Sequence, residues 1–301
     1  MDASLIALAL MDGVSYAALL FVVALGLTLI FGVMRILNIA HGSLYAWGGY
    51  FAATLGMAIA NFGLPAWLGL PALFLAAIVI GGFLGTVLEW ALLRRILDKD
   101  PILQLLVTFA AFMVLEDLQR LIWGVQPIFV SDVVNQLGTM TVAGVTYTRY
   151  QLLVIPLVAV AAFVGLRWFL GRTAVGRQVT AVTHNREIAT AMGVNTNRVT
   201  WLTIALGGAL GALGGALASP TTSFTPGIGA DMMVLSFAVV ATAGLGQIGG
   251  AALAALMIGL ARSFAVYLLP EAEVLMPYLI MVAVLLVRPE GLFTTVAARR
   301  I

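Results

Sequence analysis

In 301 residues this sequence has no cysteine, two histidines and a single lysine, Lys99. The missing cysteine excludes disulfides, thiolate nucleophiles and cysteine-ligated metals. A phosphate-binding loop of the G-x-x-x-x-G-K-[ST] type needs a lysine at the phosphates. Lys99 sits between Asp98 and Asp100, so the chain carries no such loop and any ATP energy must come from another subunit. Charge is scarce as well: 9% of residues are charged, against about 25% in soluble domains. With 62% hydrophobic residues and a mean hydropathy of +1.09, the apolar surface is too large for a water-soluble core. The class is an all-α, polytopic membrane protein. The pI near 9.1 points to membrane orientation rather than nucleic acid. The first twenty residues hold no Lys or Arg, so the opening apolar run is expected to be a retained span and not a cleaved signal peptide.

Charge-free runs place the spans, since about 20 apolar residues cross the hydrocarbon as a helix. They are Val14–Met34, two within Ile36–Leu88 with a turn at Asn61–Pro65, Ile102–Leu121, Gln151–Leu170 and Val199–Ala218. Met232–Leu269 is broken at Gly244–Gly250 and reads as two short helices, and Val274–Val287 is last. The expectation is a transmembrane helical bundle of eight or nine spans, forming one membrane domain over residues 1–301. Arg94, Arg95 and Lys99 share one loop, and Arg167 with Arg172, Arg177, Arg186 and Arg198 another. With Arg35, Arg288, Arg299 and Arg300, twelve of the fifteen basic residues fall on one side. The positive-inside rule makes that side cytoplasmic, the N-terminus external and the C-terminus cytoplasmic. The segment 122–150 then faces out, and VAGVTYTRY has the β-type composition of a small hairpin.

Polar groups inside the apolar runs are the candidate path. Asn38, His41 and Ser43 lie between two spans, flanked by Gly32 and Gly42. They form either a broken-helix element lining a path or an ordinary turn, with Asn38 as cap and His41 bonded to a neighbouring helix. Thr28 and Gln247 complete the candidate path residues. Metal ligation is not expected, because the other histidine, His184, lies in a distant loop. Glu116 and Arg120, at i, i+4 beside Asp117, read as an interfacial ion pair rather than a proton relay, and Arg262 as a residue snorkelling outward. Gly207, Gly211 and Gly215 recur every four residues, the spacing of close helix packing. Ser219–Gly229, with two prolines, reads as an external loop.

The segment 171–198, GRTAVGRQVTAVTHNREIATAMGVNTNR, is the one long polar, basic stretch. Val175, Val179 and Val182 make an apolar stripe on a short helix. Asn185 is placed to cap a second helix over Arg186–Met192, with Gly193 at its C-terminal cap and Ile188 and Met192 as its apolar face. Such a loop either lies on the membrane surface or protrudes to meet a partner.

Three segments together resemble the permease subunits of bacterial ABC importers for branched-chain amino acids. They are GLTLIFGVMRILNIAHGSLYAWGGY, GRQVTAVTHNREIATAMGVNTNRVTWLTIALGGALGALGGAL and the closing VLLVRPEGLF. Glu187, Ala189 and Gly193 fit the E-x-A-x-x-x-G pattern of importer coupling loops. The resemblance implies that Arg186–Asn195 seats in a groove of an ATPase subunit. It implies two ATPases that bind the ATP, a second related permease chain, an external solute-binding protein and a place in the bacterial inner membrane. Asn38 and His41 become contributors to the path. Relatives on this scaffold also carry urea, short amides and other small carboxylates, and Glu116-Asp117 departs from the Gln-Asn expected there. An ion-gradient transporter needs a midplane carboxylate, and an intramembrane enzyme needs a catalytic constellation. The sequence offers neither in convincing form.

Overall fold

The computed structural model describes residues 3–142 and 144–293. Helix α1 (Ala3–Met34) is apolar on every side, and 78% of its most apolar window is buried. It forms the centre of the bundle. Around it lie α2 (His41–Asn61), α3 (Gly69–Ile96) and α4 (Pro101–Trp123), the last capped by the Asp100 carboxylate on the Ile102 N–H at 2.8 Å. A short helix α5 (Asp132–Leu137) leads into a hairpin of β1 (Thr139–Val142) and β2 (Val145–Thr148), paired Thr139 to Thr148. Then come α6 (Tyr150–Arg172), α7 (Ala174–His184), α8 (Arg186–Ala191), α9 (Thr196–Ala218), α10 (Ile228–Ala243), α11 (Ile248–Leu268) and α12 (Met276–Val287). Six of these helices are long and apolar enough to cross a membrane, and α10 and α12 are shorter apolar helices. Helices occupy the expected apolar runs and the hairpin is present, but α1 begins well before Val14. Arg299 and Arg300 lie outside the described residues.

Between α1 and α2 the chain turns back on itself. Arg35 adopts φ +55°, the one non-glycine with positive φ among the described residues. Residues 36–39 then run back alongside the bundle, where the Thr108 hydroxyl donates to the Leu37 carbonyl at 3.3 Å. Helix α2 opens at His41, whose Nε2 lies 3.0 Å from the Val23 carbonyl. Val23 precedes Met34 by eleven residues, or about 16 Å of helical rise, so α2 begins near the middle of the bundle. His41 is bonded to a neighbouring helix as the turn reading expects, but the Asn38 side chain caps nothing, and the depth at which α2 starts is that of a broken element.

The segment between α9 and α10 behaves in the same way, contrary to its reading as an external loop. Phe224 is fully buried, stacked on Tyr45 at 5.6 Å and edge-on to Tyr50 at 5.7 Å. Its backbone pairs with Ile128. Helix α10 then starts where Gly229 meets Gly42, backbone on backbone, and a Cβ on either would strike the other's carbonyl. Gly26 and Gly207 make a second reciprocal contact between the antiparallel α1 and α9. Helix α3 packs on α9 and α11 on α1, while α4 and α12 pack on the broken helices α2 and α10. The halves α1–α4 and α9–α12 therefore follow one plan in opposite directions, the pattern of an inverted repeat.

The closing motif has a structural task. After α12 the chain turns beneath α10, where Leu292 N–H donates to the Thr242 carbonyl and Phe293 N–H to that of Ala243, both at 3.0 Å. These carbonyls belong to the last turn of α10, which has no intrahelical donors of its own. Gly291, at φ +89°, lies against Gly244 too closely for any side chain. Leu292→Pro removes one donor and is expected to cost about 1–3 kcal/mol. A thermal unfolding midpoint unchanged in that variant would dissociate the motif from α10.

Candidate functional site

The loop between α6 and α9 is built from local caps. Thr173 Oγ1 accepts from the Gly176 N–H at 2.9 Å and starts α7. Asn185 Oδ1 accepts from the Ile188 N–H at 3.0 Å and starts α8. Asn195 Oδ1 accepts from the Arg198 N–H at 3.0 Å and starts α9. Each side-chain oxygen satisfies a donor that a helix start leaves free. Helix α8 stops at Gly193, φ +85°, with the Val194 N–H closing onto the Ala189 carbonyl at 3.0 Å. The caps fix both short helices in place.

Their faces divide cleanly. Val179 and Val182 are buried, and Gly176 lies against the backbone of Phe169 and Leu170 at the end of α6. On α8, Ala189 is buried at 4% exposure, while Ile188 is 62% and Met192 80% exposed. Glu187, Gly193 and Asn195 are exposed and Arg186 half-exposed. Two large apolar side chains thus stand on a rigid, arginine-flanked knob. Below it, α7 rests on the end of α1 and on the α10–α11 turn. Thr28, Gly32, Val179, Thr183 and Gly246 line a groove of about 160 Å³ there. Helix α8 packs on α7, and α7 on α1.

The five candidate path residues do not share one cavity. Thr28 bonds the Ala24 carbonyl at 2.6 Å and faces the groove under α7. Asn38 and His41 are fully buried, the His41 ring pressed against Gly26 and Gly211. Ser43 Oγ reaches the Phe112 carbonyl at 3.4 Å. Gln247 is half-exposed at the start of α11, with no side-chain bond to its N-terminus. A cavity of about 370 Å³ lies beside the broken element, walled by Leu37, Ile39, Phe109, Phe112, Met233 and Phe237. From the stretch 36–39, Leu37 and Ile39 line this cavity.

At the far end of the bundle Arg120 bonds Glu116 at 2.5 Å and Asp117 at 3.3 Å, the interfacial pairing expected. Arg262 reaches toward the end of α11, where it pairs with Glu273, and lies 4.1 Å over the Tyr16 ring. Sequence reasoning passed over Asp12, which accepts from both Tyr147 and Tyr267. Burial, together with this contact to Asp12, pushes the Tyr147 hydroxyl above its usual range and keeps it a donor. It also passed over Glu89, 3% exposed in a π-turn of α3 and the first acid after a long charge-free run. That position was the available signal.

Residues 9–285 match the family described as the permease component of branched-chain amino acid transport systems. The chain is 27% identical over 287 residues to the high-affinity branched-chain amino acid transport system permease protein LivH of Escherichia coli (strain K12), covering 93% of each. It is 25% identical over 289 residues, 94% of each chain, to the corresponding protein BraD of Pseudomonas aeruginosa. It is also 27% identical over 254 residues to the autoinducer 2 import system permease protein LsrC of Yersinia pseudotuberculosis, covering 81% of this chain and 66% of that one. A family match running from α1 to the end of α12 makes this chain a member of the branched-chain amino acid transport permease family, a membrane permease subunit of an ABC importer and not an enzyme.

Proposed function

We propose that this subunit moves branched-chain amino acids inward across the bacterial inner membrane, driven by ATPase subunits that seat on Arg186–Asn195. The observation that carries the reading is the capped α7–α8 knob, with Ile188 and Met192 exposed above helices that bear on α1. The assembly consists of two ATPases that bind the ATP, this chain, a second homologous permease and an external solute-binding protein. The basic end of the bundle is cytoplasmic, the N-terminus external, and nine helices fill the membrane, with α2 and α10 each starting inside it. The similarity to LivH and BraD supports the solute class.

The geometry supports a route for the drive. ATP-driven closure of the ATPases presses α8, and α7 passes the displacement to the end of α1 and to the Gly246 turn. The broken elements of the two halves meet at Gly42 and Gly229, the natural place for the halves to rock against each other. Selectivity rests largely with the external binding protein.

Gentle purification from the native membrane tests the assembly. Two ATPase subunits and a second permease are expected to co-purify, and the reconstituted complex is expected to accumulate leucine only with ATP. Uptake that survives ATP depletion but collapses with an ionophore would transfer the drive to an ion gradient and overturn the proposal.

A further inference from the structure

At the end of the bundle opposite α8 lies a cavity of about 220 Å³, enclosed by α1, β2, α6, α11 and the start of the 219–227 segment. Its wall carries one carboxylate, Asp12, and one guanidinium, Arg262. Both are held from behind. Tyr147 donates to one oxygen of Asp12 and Tyr267 to the other. Arg262 is fixed by Glu273 and by the Tyr16 ring. Among the described residues no basic group lies within ion-pair distance of Asp12. A carboxylate has about four lone-pair sites and a guanidinium five N–H donors, so each group keeps bonding capacity for a ligand.

Their opposite charges select that ligand. Asp12 meets Tyr267, and Tyr16 meets Arg262, on neighbouring antiparallel helices. Asp12 and Tyr16 stand about one helical turn apart, so the carboxylate and the guanidinium are presented to the same cavity. The remaining wall offers Leu19, Ile155 and Val266 to an alkyl group and the Thr221 and Thr222 hydroxyls beside the charges.

We propose that this cavity binds a small zwitterionic α-amino acid with an aliphatic side chain. Asp12 receives the ammonium, Arg262 the carboxylate, and Leu19, Ile155 and Val266 the alkyl group. The proposal rests on reading the solute as an amino acid. Urea and short amides give Arg262 no anion, and a carboxylate without an amine meets Asp12 as a like charge. Thr221 and Thr222 open the segment that runs to the Gly42–Gly229 contact, so an amino acid held here stands at the head of the route into the bundle.

The test uses the full chain in lipid nanodiscs with radiolabelled leucine, and 4-methylpentanoate and isoamylamine as competitors. Leucine is expected to bind saturably, and each competitor, lacking one charged end, to bind at least about tenfold more weakly. Asp12→Asn and Arg262→Gln are each expected to weaken leucine by at least about tenfold. Because both touch buried partners, Thr222→Trp is made in parallel. It fills the cavity at an exposed lining position, leaves both charged groups in place and is expected to abolish binding. ATP-driven leucine uptake by the assembled importer is measured alongside. Uptake without saturable binding, binding indifferent to the three substitutions, or isoamylamine competing as well as leucine overturns the site while the importer reading stands. No leucine uptake by the unaltered assembly overturns the solute class, and the site with it.

Discussion

Ile188→Asp is expected to abolish ATP-driven uptake while leaving the permease folded. Ile188 is 62% exposed and makes no core contact, whereas its neighbour Ala189 provides the buried side of α8. Surface changes of this kind usually alter stability by no more than about 0.5 kcal/mol. Against a docked ATPase the same carboxylate becomes a buried charge without a partner, a penalty of about 2–5 kcal/mol. That corresponds to a loss of about thirtyfold or more in productive coupling. Met192→Asp is expected to act in the same direction, because Met192 stands 80% exposed beside it. The assay is leucine uptake by proteoliposomes holding the whole importer, with thermal unfolding of the isolated chain as control. Uptake at the unaltered rate, with unfolding also unchanged, would remove α8 from the coupling contact.

The second large effect is structural. Gly215 on α9 faces the Tyr45 carbonyl of α2, and any Cβ there would overlap that oxygen and crowd Gly49 N at 3.0 Å. The obstacle is backbone on both sides, so no side chain can swing away and the two helices must separate. Overpacking of a tight contact costs about 1–3 kcal/mol even where neighbours can shift. Gly215→Val is therefore expected to exceed that range, seen as a large fall in unfolding midpoint or as failure to accumulate folded. Gly165→Ala on α6 is the matched control, since nothing lies within 4 Å of its added Cβ. It should gain up to about 1 kcal/mol from helix propensity. If both variants unfold alike, the glycine row of α9 is not a packing surface.

What the sequence revealed was local. Asn185 and Gly193 act through bonds spanning a few residues, and their roles follow from residue type and spacing; Thr173 and Asn195 act in the same way but were not singled out as caps. Val179 and Val182 follow from helical periodicity, and Glu116–Arg120 from one turn of helix. The broken elements were harder to read. An irregular segment returning into a membrane bundle has the composition of a turn, and only its partners, Thr108 and Val23, reveal its depth. Phe224 looked like part of a surface loop because its cover, Tyr45 and Tyr50, comes from a different half of the chain. Asp12 joins partners 135 and 255 residues away, a separation that no local pattern encodes. The apolar face assigned to α8 was located correctly, but composition alone does not say that it stays uncovered within this chain.

The position of α1 has a consequence for how the molecule is made. The most enclosed helix is synthesised well before its most extensive neighbour, α11. At about 5–20 residues per second, the interval between completing residue 34 and reaching residue 248 is on the order of ten to forty seconds. For that time Gly13, Ala17 and their neighbours, which later receive Leu260 and Gly259, have no native surface to meet. Assembly of the bundle is thus a late event governed by the arrival of its C-terminal half. A chain cut short of residue 248 leaves the face of α1 that receives α11 unmatched, a ready substrate for membrane quality control.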